Sequence, residues 1–378
     1  MSKVLVLVTM ATKSEEAQFL VSELVAAGVE PQVIDMSLDT GGKVLDGTQK
    51  RKAMAEAGTR ALVQVNAARA QGAEVVVGIG GGTGGEIALQ VMRELPVTYP
   101  KVLCTTLPFD PRFAVADNSI VLVPTPADIL GLNGMLRECL ENTALMTAGL
   151  CKKKRKGELL DIEPSIAITA LGATDGAIHP LVEAFTAQGR ECTVFHSNGF
   201  GGAAFARFAR NGAINAIIDL TPHELTRIHL AGAHVPMPDR FSAGGHLPRI
   251  VLPGAINFIG LGQKDLVPSR YLERPHYEHS SLFTHVKLTQ DEMVHVCTKL
   301  AEELNALSGP CAMIIPMGGF SHHDRPGGEI EDPALREICA KVLEEKLNNT
   351  IPVTRIDAHI FAPEVTEVIT TTLATLSA

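Results

Sequence analysis

A chain of 378 residues is too long for one ordinary hydrophobic core, so the sequence predicts two domains. Hydrophobic residues make up 46% of the chain and charged residues 20%, a balance typical of parallel sheets covered by helices. The net charge of −9 argues against a nucleic-acid surface, and no apolar run reaches the roughly 18 residues of a membrane span. Seven Cys without a C-x-x-C pair indicate thiols in a reducing compartment, so we expect a cytoplasmic protein.

Predicted strands and helices alternate in the first half of the chain. The strands are residues 4–8, 31–35, 75–79, 102–105 and 119–123. Helices are expected over residues 12–27, 50–71 and 127–148, and a capping box of Thr12 and Glu15 is expected to open the first of them. Such alternation predicts a doubly wound, Rossmann-like parallel sheet.

A basic segment, residues 152–156, separates this half from a second one with the same plan. We therefore predict two Rossmann-like α/β subdomains, residues 1–156 and 157–378. Capping boxes at Thr221 with Glu224 and at Thr289 with Glu292, and a Pro at position 333, predict three helix starts. Residues 234–284 lack helical periodicity and are expected to form an ordered functional loop region.

Residues 75–95 predict a strand, a glycine-rich turn and an amphipathic helix in succession. The turn consists of Gly80, Gly81, Gly82, Thr83, Gly84 and Gly85. Backbone N–H groups and a helix N-terminus then face one spot, which favours an anion such as phosphate. A tight structural turn is the alternative, but five glycines cost more backbone entropy than a turn requires. Neither the Walker A motif nor the acidic residue of the dinucleotide fingerprint follows the glycines.

Two further segments are candidate contacts for the same ligand. Thr12 and Lys13 follow the first strand, where Lys13 would supply a positive charge; an N-cap and an exposed lysine are the alternatives. The second half repeats the glycine-rich turn at residues 196–202, and Asn198, Gly199 and Gly201 are its candidate contacts. With one turn in each domain, we expect the ligand in a cleft between them.

Three residues are candidates for acid–base or anchoring roles if the protein is an enzyme. They are Asp219 at a strand end, and Arg249 and His279 in the irregular segment.

The spacing of the 13 His does not match a metal motif, and we predict no metal site built from them. His322, His323 and Asp324 lie in a loop after a strand, where either a ligand site or a solvated loop is possible.

Several motifs together resemble an ATP-binding family related to the N-terminal part of the tomato mosaic virus resistance protein, an inhibitor of viral RNA replication. They are TMATKSEE at residues 9–16, GIGGGTGG at 78–85, GLN at 131–133, HSNGFGG at 196–202, residues 219–224, PGAINF at 253–258 and DAHI at 357–360. The resemblance covers nearly the whole chain. It implies two Rossmann-like subdomains, with ATP bound at the glycine-rich loop.

This sequence departs from the family pattern at two places. Val8 and Ala11 stand where the family's G-T-x-D-T-K motif has Gly and Asp, and the H-N-P element is reduced to His279-Ser280-Ser281. The resulting hypothesis is an ATP-binding protein, with Mg²⁺ accompanying the nucleotide and with a homo-oligomeric assembly. The alternatives are an enzyme acting on a small carboxylate or phosphorylated metabolite, and a regulatory interaction module.

Overall fold

The computed structural model describes residues 1–108, 110–151, 164–232 and 237–378. The chain divides into two compact units, Met1–Asp161 and Ile162–Ala378. The boundary expected between residues 156 and 157, and the basic segment beside it, lie outside the described residues. Within the described part of the chain, no helix is both long and apolar enough to cross a bilayer.

The first unit is a five-stranded parallel sheet with helices on both faces. Its strands are β1 (Lys3–Val8), β2 (Glu30–Asp35), β3 (Ala73–Ile79), β4 (Lys101–Thr105) and β5 (Val121–Pro124), in the order β2-β1-β3-β4-β5. Its helices are α1 (Met10–Ala26), α2 (Gly47–Ala70), α3 (Gly82–Glu94), α4 (Arg112–Val115) and α5 (Gly134–Cys151).

The side chains of β1 alternate between two hydrophobic cores. Leu5 and Leu7 pack on one face with residues of α2 and α3, while Val4, Val6 and Val8 pack on the other with residues of α1 and α5. Period-two alternation in a strand buried on both sides explains why the strand is apolar at every one of these positions. The doubly wound parallel sheet predicted from the sequence is confirmed.

The second unit contains a six-stranded parallel sheet and a small antiparallel one. The parallel sheet has β6 (Ser165–Ala170), β7 (Cys192–His196), β8 (Ile214–Asp219), β9 (Arg249–Val251), β13 (Cys311–Pro316) and β14 (Val353–Ile356), in the order β14-β13-β9-β8-β6-β7. The antiparallel sheet has β10 (Phe258–Leu261), β11 (His276–Ser280) and β12 (Phe283–Lys287), in the order β10-β12-β11. The helices are α6 (Asp175–Ala187), α7 (Phe200–Arg210), α8 (Glu224–His229), α9 (Ser269–Leu272), α10 (Gln290–Asn305), α11 (Pro333–Lys346) and α12 (Pro363–Leu376).

The segment expected to be irregular, residues 234–284, holds regular structure that the sequence did not predict. It contributes β9 to the parallel sheet and most of the antiparallel sheet; residues 233–236 lie outside the described part. These strands are only three to five residues long, too short for a period-two pattern to stand out in the sequence.

Two of the predicted helix starts are confirmed and two are wrong. Thr289 and Glu292 form the capping box of α10, and α11 begins at Pro333. Helix α1 begins at Met10 and is kinked at Lys13, and the expected capping box of Thr12 and Glu15 does not form. Acceptors outside the helix satisfy the amides of Met10 and Ala11. Helix α8 begins at Glu224 without a side-chain cap, because its expected cap residue, Thr221, lies in the buried core instead.

Gly80 allows α3 to pack against the end of β3. A Cβ atom at this position would lie 2.7 Å from both the carbonyl carbon of Gly84 and the amide nitrogen of Gly85. Both atoms belong to the backbone of the helix, so a side chain could be accommodated only by moving the helix.

We expect Gly80→Ala to lower the free energy of unfolding by about 1–3 kcal/mol, the usual cost of overpacking. Gly82→Ala is the matched control, because its Cβ would meet no atom closer than Pro108 Cγ at 3.7 Å. Urea unfolding of the two variants measures the difference. Equal stability of Gly80→Ala and the wild type would contradict this account of the packing.

Candidate functional site

The glycine-rich turn lies at the topological switch point of the first sheet. From β1 the chain proceeds to β2 on one side and to β3 on the other, and β1 pairs directly with β3. The loops after β1 and β3 therefore leave neighbouring strands at the same sheet edge. In open parallel sheets, ligands bind in the crevice that forms at this place.

The N-terminus of α3 presents backbone amides that have no acceptor. The amide of Gly80 donates to the Cys104 carbonyl at 3.2 Å, and that of Gly85 to the Gly81 carbonyl at 2.7 Å. Among the described residues, no atom accepts a hydrogen bond from the amides of Gly82, Thr83 or Gly84. No side chain caps this helix, so its positive dipole end also stays uncompensated.

A cavity of about 350 Å³ lies beside the start of this helix, where Gly82 and Thr83 line it. Its lining residues come from α2, α3 and the loop after β4; they are Gly47, Lys50, Arg51, Met54, Gly82, Thr83, Glu86 and Pro108. Within the described part of the chain, neither Lys50 nor Arg51 has a carboxylate within 4.0 Å. The cavity therefore combines uncapped amides with two side-chain cations that no carboxylate neutralises, which is a suitable environment for a phosphate group.

The fold does not require glycine at positions 81 and 82. A Cβ atom at Gly81 would lie 3.5 Å from Thr106 Oγ1, and one at Gly82 would lie 3.7 Å from Pro108 Cγ, both ordinary contact distances. Neither residue has a positive φ. Packing thus accounts for Gly80, while the absence of side chains at Gly81 and Gly82 leaves room for a ligand to approach the backbone.

Helix α1 follows the neighbouring strand, β1. The first amides of this helix already donate hydrogen bonds to side chains of the protein. The amide of Met10 donates to Asp35 Oδ1 at 3.0 Å, and that of Ala11 to Ser37 Oγ at 2.9 Å. Partial burial alone would raise the pKa of Asp35, but hydrogen bonds from Ser37 and Met10 hold it below its usual value. Asp35 therefore acts as an acceptor for this helix.

Thr12 and Lys13 have partners within the first unit. The ammonium group of Lys13 donates to the carbonyl of Ile129, and Thr12 Oγ1 lies 3.0 Å from Thr9 Oγ1. On the same helix, Glu16 Oε1 accepts from the amide of Gly131 at 2.9 Å. These contacts attach α1 to the loop that precedes α5, so the structure does not bring Lys13 to the cavity beside α3.

The second glycine-rich turn, residues 196–202, differs from the first because its amides have acceptors. Asn198 Oδ1 accepts from the amides of Phe200 and Gly201, at 3.1 and 3.3 Å, and Glu224 Oε1 accepts from that of Gly199 at 3.3 Å. Gly199 has a φ of +96°, which explains the choice of glycine there. We therefore do not include Asn198, Gly199 and Gly201 in the proposed anion site.

Two of the three catalytic candidates lie in a buried ionic network. Arg240 binds both oxygens of Asp219, at 2.8 and 2.9 Å, and Oε2 of Glu224 at 3.1 Å, and all three side chains are fully buried. Burial alone would raise the pKa of Asp219, but the charge and hydrogen bonds of Arg240 hold it below its usual value. Arg249 donates to the carbonyls of Phe241 and Ala243, each at 2.7 Å. Their surroundings favour a structural role for Asp219 and Arg249.

We expect Arg240→Met to lower the free energy of unfolding by about 3–5 kcal/mol, because it removes the cation that hydrogen-bonds both buried carboxylates. Arg210→Met removes an exposed ion pair with Asp239 and should cost about 0–1 kcal/mol. Urea unfolding compares the two variants. A similar small loss in both would contradict the assignment.

His279, the third candidate, belongs to a group of stacked rings on the antiparallel sheet. It is exposed on β11, and its ring stacks on that of His285 with centroids 5.1 Å apart. His285 also stacks on Phe258 at 4.5 Å, and its Nδ1 lies 2.6 Å from the hydroxyl of Tyr277. Tyr277 in turn stacks on His323 at 3.7 Å.

The described residues contain no group of three or more His, Cys, Asp or Glu arranged to hold a metal ion.

Burial, together with His279, His323 and Arg227, lowers the pKa of His285 to about 3. The unfolded chain therefore binds one more proton than the folded chain between about pH 6.5 and 3, so stability falls as the pH falls through this window. We expect His285→Asn to reduce this dependence by up to about 1.4 kcal/mol per pH unit. Thermal unfolding at pH 7 and pH 5 tests this. The same pH dependence in wild type and variant would contradict a neutral His285.

Sequence reasoning did not identify Lys50, Arg51 or Glu86. One signal was present: Asp46 and Gln49 form the capping box of α2, and the residues directly after this box are both cations. Positive charge close to a helix N-terminus is unfavourable unless an anion is nearby.

Comparison with known proteins connects the whole chain to one family. Residues 39–156 match the N-terminal domain, and residues 163–377 the C-terminal domain, of an uncharacterised protein family, UPF0261. A UPF0261 protein of Rhizobium meliloti is 31% identical over 393 residues, covering 97% of each chain, and one of Clostridium tetani is 30% identical over 362 residues, covering 88% of this chain and 89% of that one. The ToMV resistance protein Tm-1 of Solanum lycopersicum is 26% identical over 281 residues, which cover 72% of this chain and 37% of the tomato protein.

Proposed function

The chain belongs to the UPF0261 family, and we propose that its first unit binds the phosphates of a nucleotide, ATP in the first instance. The observation that carries the proposal is that the acceptor-free amides of Gly82, Thr83 and Gly84 begin a helix that lines the same cavity as Lys50 and Arg51. An anion is the ligand that satisfies both sets of groups at once.

The residues around the cavity fit the other parts of a nucleotide. Met54 and Pro108 supply apolar surface beside the charged groups, against which the face of a base can pack. A volume of about 350 Å³ lies within the range of small-molecule sites. The choice of ATP among nucleotides comes from the resemblance of the GIGGGTGG and TMATKSEE segments to an ATP-binding family.

The proposed site differs from the one expected from the sequence. It keeps the first glycine-rich turn and replaces Lys13 with Lys50 and Arg51, because the Lys13 ammonium already donates to the Ile129 carbonyl. It is built only from residues of the first unit. All seven Cys are free thiols, which supports placing this protein in the cytoplasm, where ATP is abundant.

Calorimetric titration with ATP tests the site. Lys50→Gln should weaken binding by roughly ten-fold or more, because a charge-assisted hydrogen bond contributes about 1.5–3 kcal/mol. Gly82→Asp should abolish binding, because its carboxylate would repel phosphate and cover the amides.

Lys52→Gln is the matched control for Lys50→Gln. Lys52 carries the same charge on the same helix and is exposed like Lys50, but it lies 4.0 Å from Glu56 and does not line the cavity. Its removal should leave ATP affinity nearly unchanged. Equal affinity in wild type, Lys50→Gln and Gly82→Asp would refute the proposed site.

A further inference from the structure

Glu86 is the one carboxylate among the eight residues that line the cavity beside α3. It follows Gly82 and Thr83 by four and three positions, so all three lie on the same face of the helix. Glu86 lines the same cavity as Gly82 and Thr83, which places it beside the first turn of α3.

No protein cation neutralises this carboxylate. Within the described part of the chain, Glu86 has no Lys, Arg or His partner within 4.0 Å, although Lys50 and Arg51 line the same cavity. Its side chain is exposed, so its negative charge is accessible to a cation from solution. The Glu86 carboxylate would repel a polyphosphate that carries no metal ion. This repulsion would weaken the attraction that the two cations and the helix dipole exert on the phosphates.

We propose that Glu86 binds a divalent cation, Mg²⁺, that enters the cavity coordinated to the nucleotide's phosphates. This inference rests on the proposed function. Mg²⁺ requires oxygen ligands, and proteins commonly hold it through one or two carboxylates, the substrate phosphates and several waters. A single carboxylate beside a phosphate site meets that requirement. The nucleotide's phosphates and water would supply the remaining oxygen ligands.

The assignment gives Glu86 opposite effects on the two forms of the ligand. It repels ATP free of metal and attracts ATP that carries Mg²⁺. Glu86 thus selects the metal-bound nucleotide, whereas Lys50, Arg51 and the amides attract both forms.

Calorimetric titrations of the full chain with ATP, in MgCl₂ and in EDTA, test this selection. The wild type should bind ATP at least ten-fold more tightly in MgCl₂ than in EDTA. Glu86→Gln should bind ATP in EDTA several-fold more tightly than the wild type, and its affinities in the two buffers should become nearly equal. Binding of Mn²⁺ in the presence of ATP, followed by electron paramagnetic resonance, should weaken in this variant.

Glu94→Gln is the control, because it removes the same charge from the exposed last turn of the same helix. It should retain the wild-type ratio of affinities. The inference is overturned if Glu86→Gln keeps that ratio, or if it weakens binding equally in both buffers, as it would if Glu86 accepted a hydrogen bond from the sugar or base. Absence of ATP binding by the wild type in both buffers would instead remove the proposed function itself.

Discussion

The proposed activity of this protein depends on one helix terminus that the fold leaves uncompensated. Helix α3 begins without a side-chain cap, and the amides of Gly82, Thr83 and Gly84 have no acceptor among the described residues. Side chains accept from the first amides of three other helices: Asp35 and Ser37 serve α1, Asp46 serves α2, and Asn198 serves α7. Acceptor-free amides next to two cations that no described carboxylate neutralises are the basis of the proposed anion site.

The architecture was predictable because its signals are long and periodic. Fully apolar strands such as residues 4–8, alternating with amphipathic helices, specify a parallel sheet covered on both faces. The antiparallel sheet was missed because its strands are short and one of them, His276–Ser280, is mostly polar. Helix starts were predicted correctly where the cap is local, as at Thr289, and incorrectly where tertiary contacts determine the partner, as at Thr221.

Only part of the candidate site could be derived from the sequence, for a related reason. The glycine-rich turn is contiguous, so its backbone geometry can be inferred from residue types alone. Lys50 and Arg51 lie about 30 positions earlier in the chain, and only the packing of α2 beside α3 brings them to the same cavity. Lys13 was expected to contact the ligand from its position in the sequence, and the structure shows its ammonium group donating to the Ile129 carbonyl.

The position of Lys50 and Arg51 also has an effect on the helix that carries them. Both follow the capping box of α2, where positive charge opposes the helix dipole. An anion held in the cavity would cancel that repulsion, so ligand affinity and the order of the first turns of α2 are thermodynamically linked. Asp46, the N-cap of α2, already offsets part of this repulsion, and a bound anion would add to its effect.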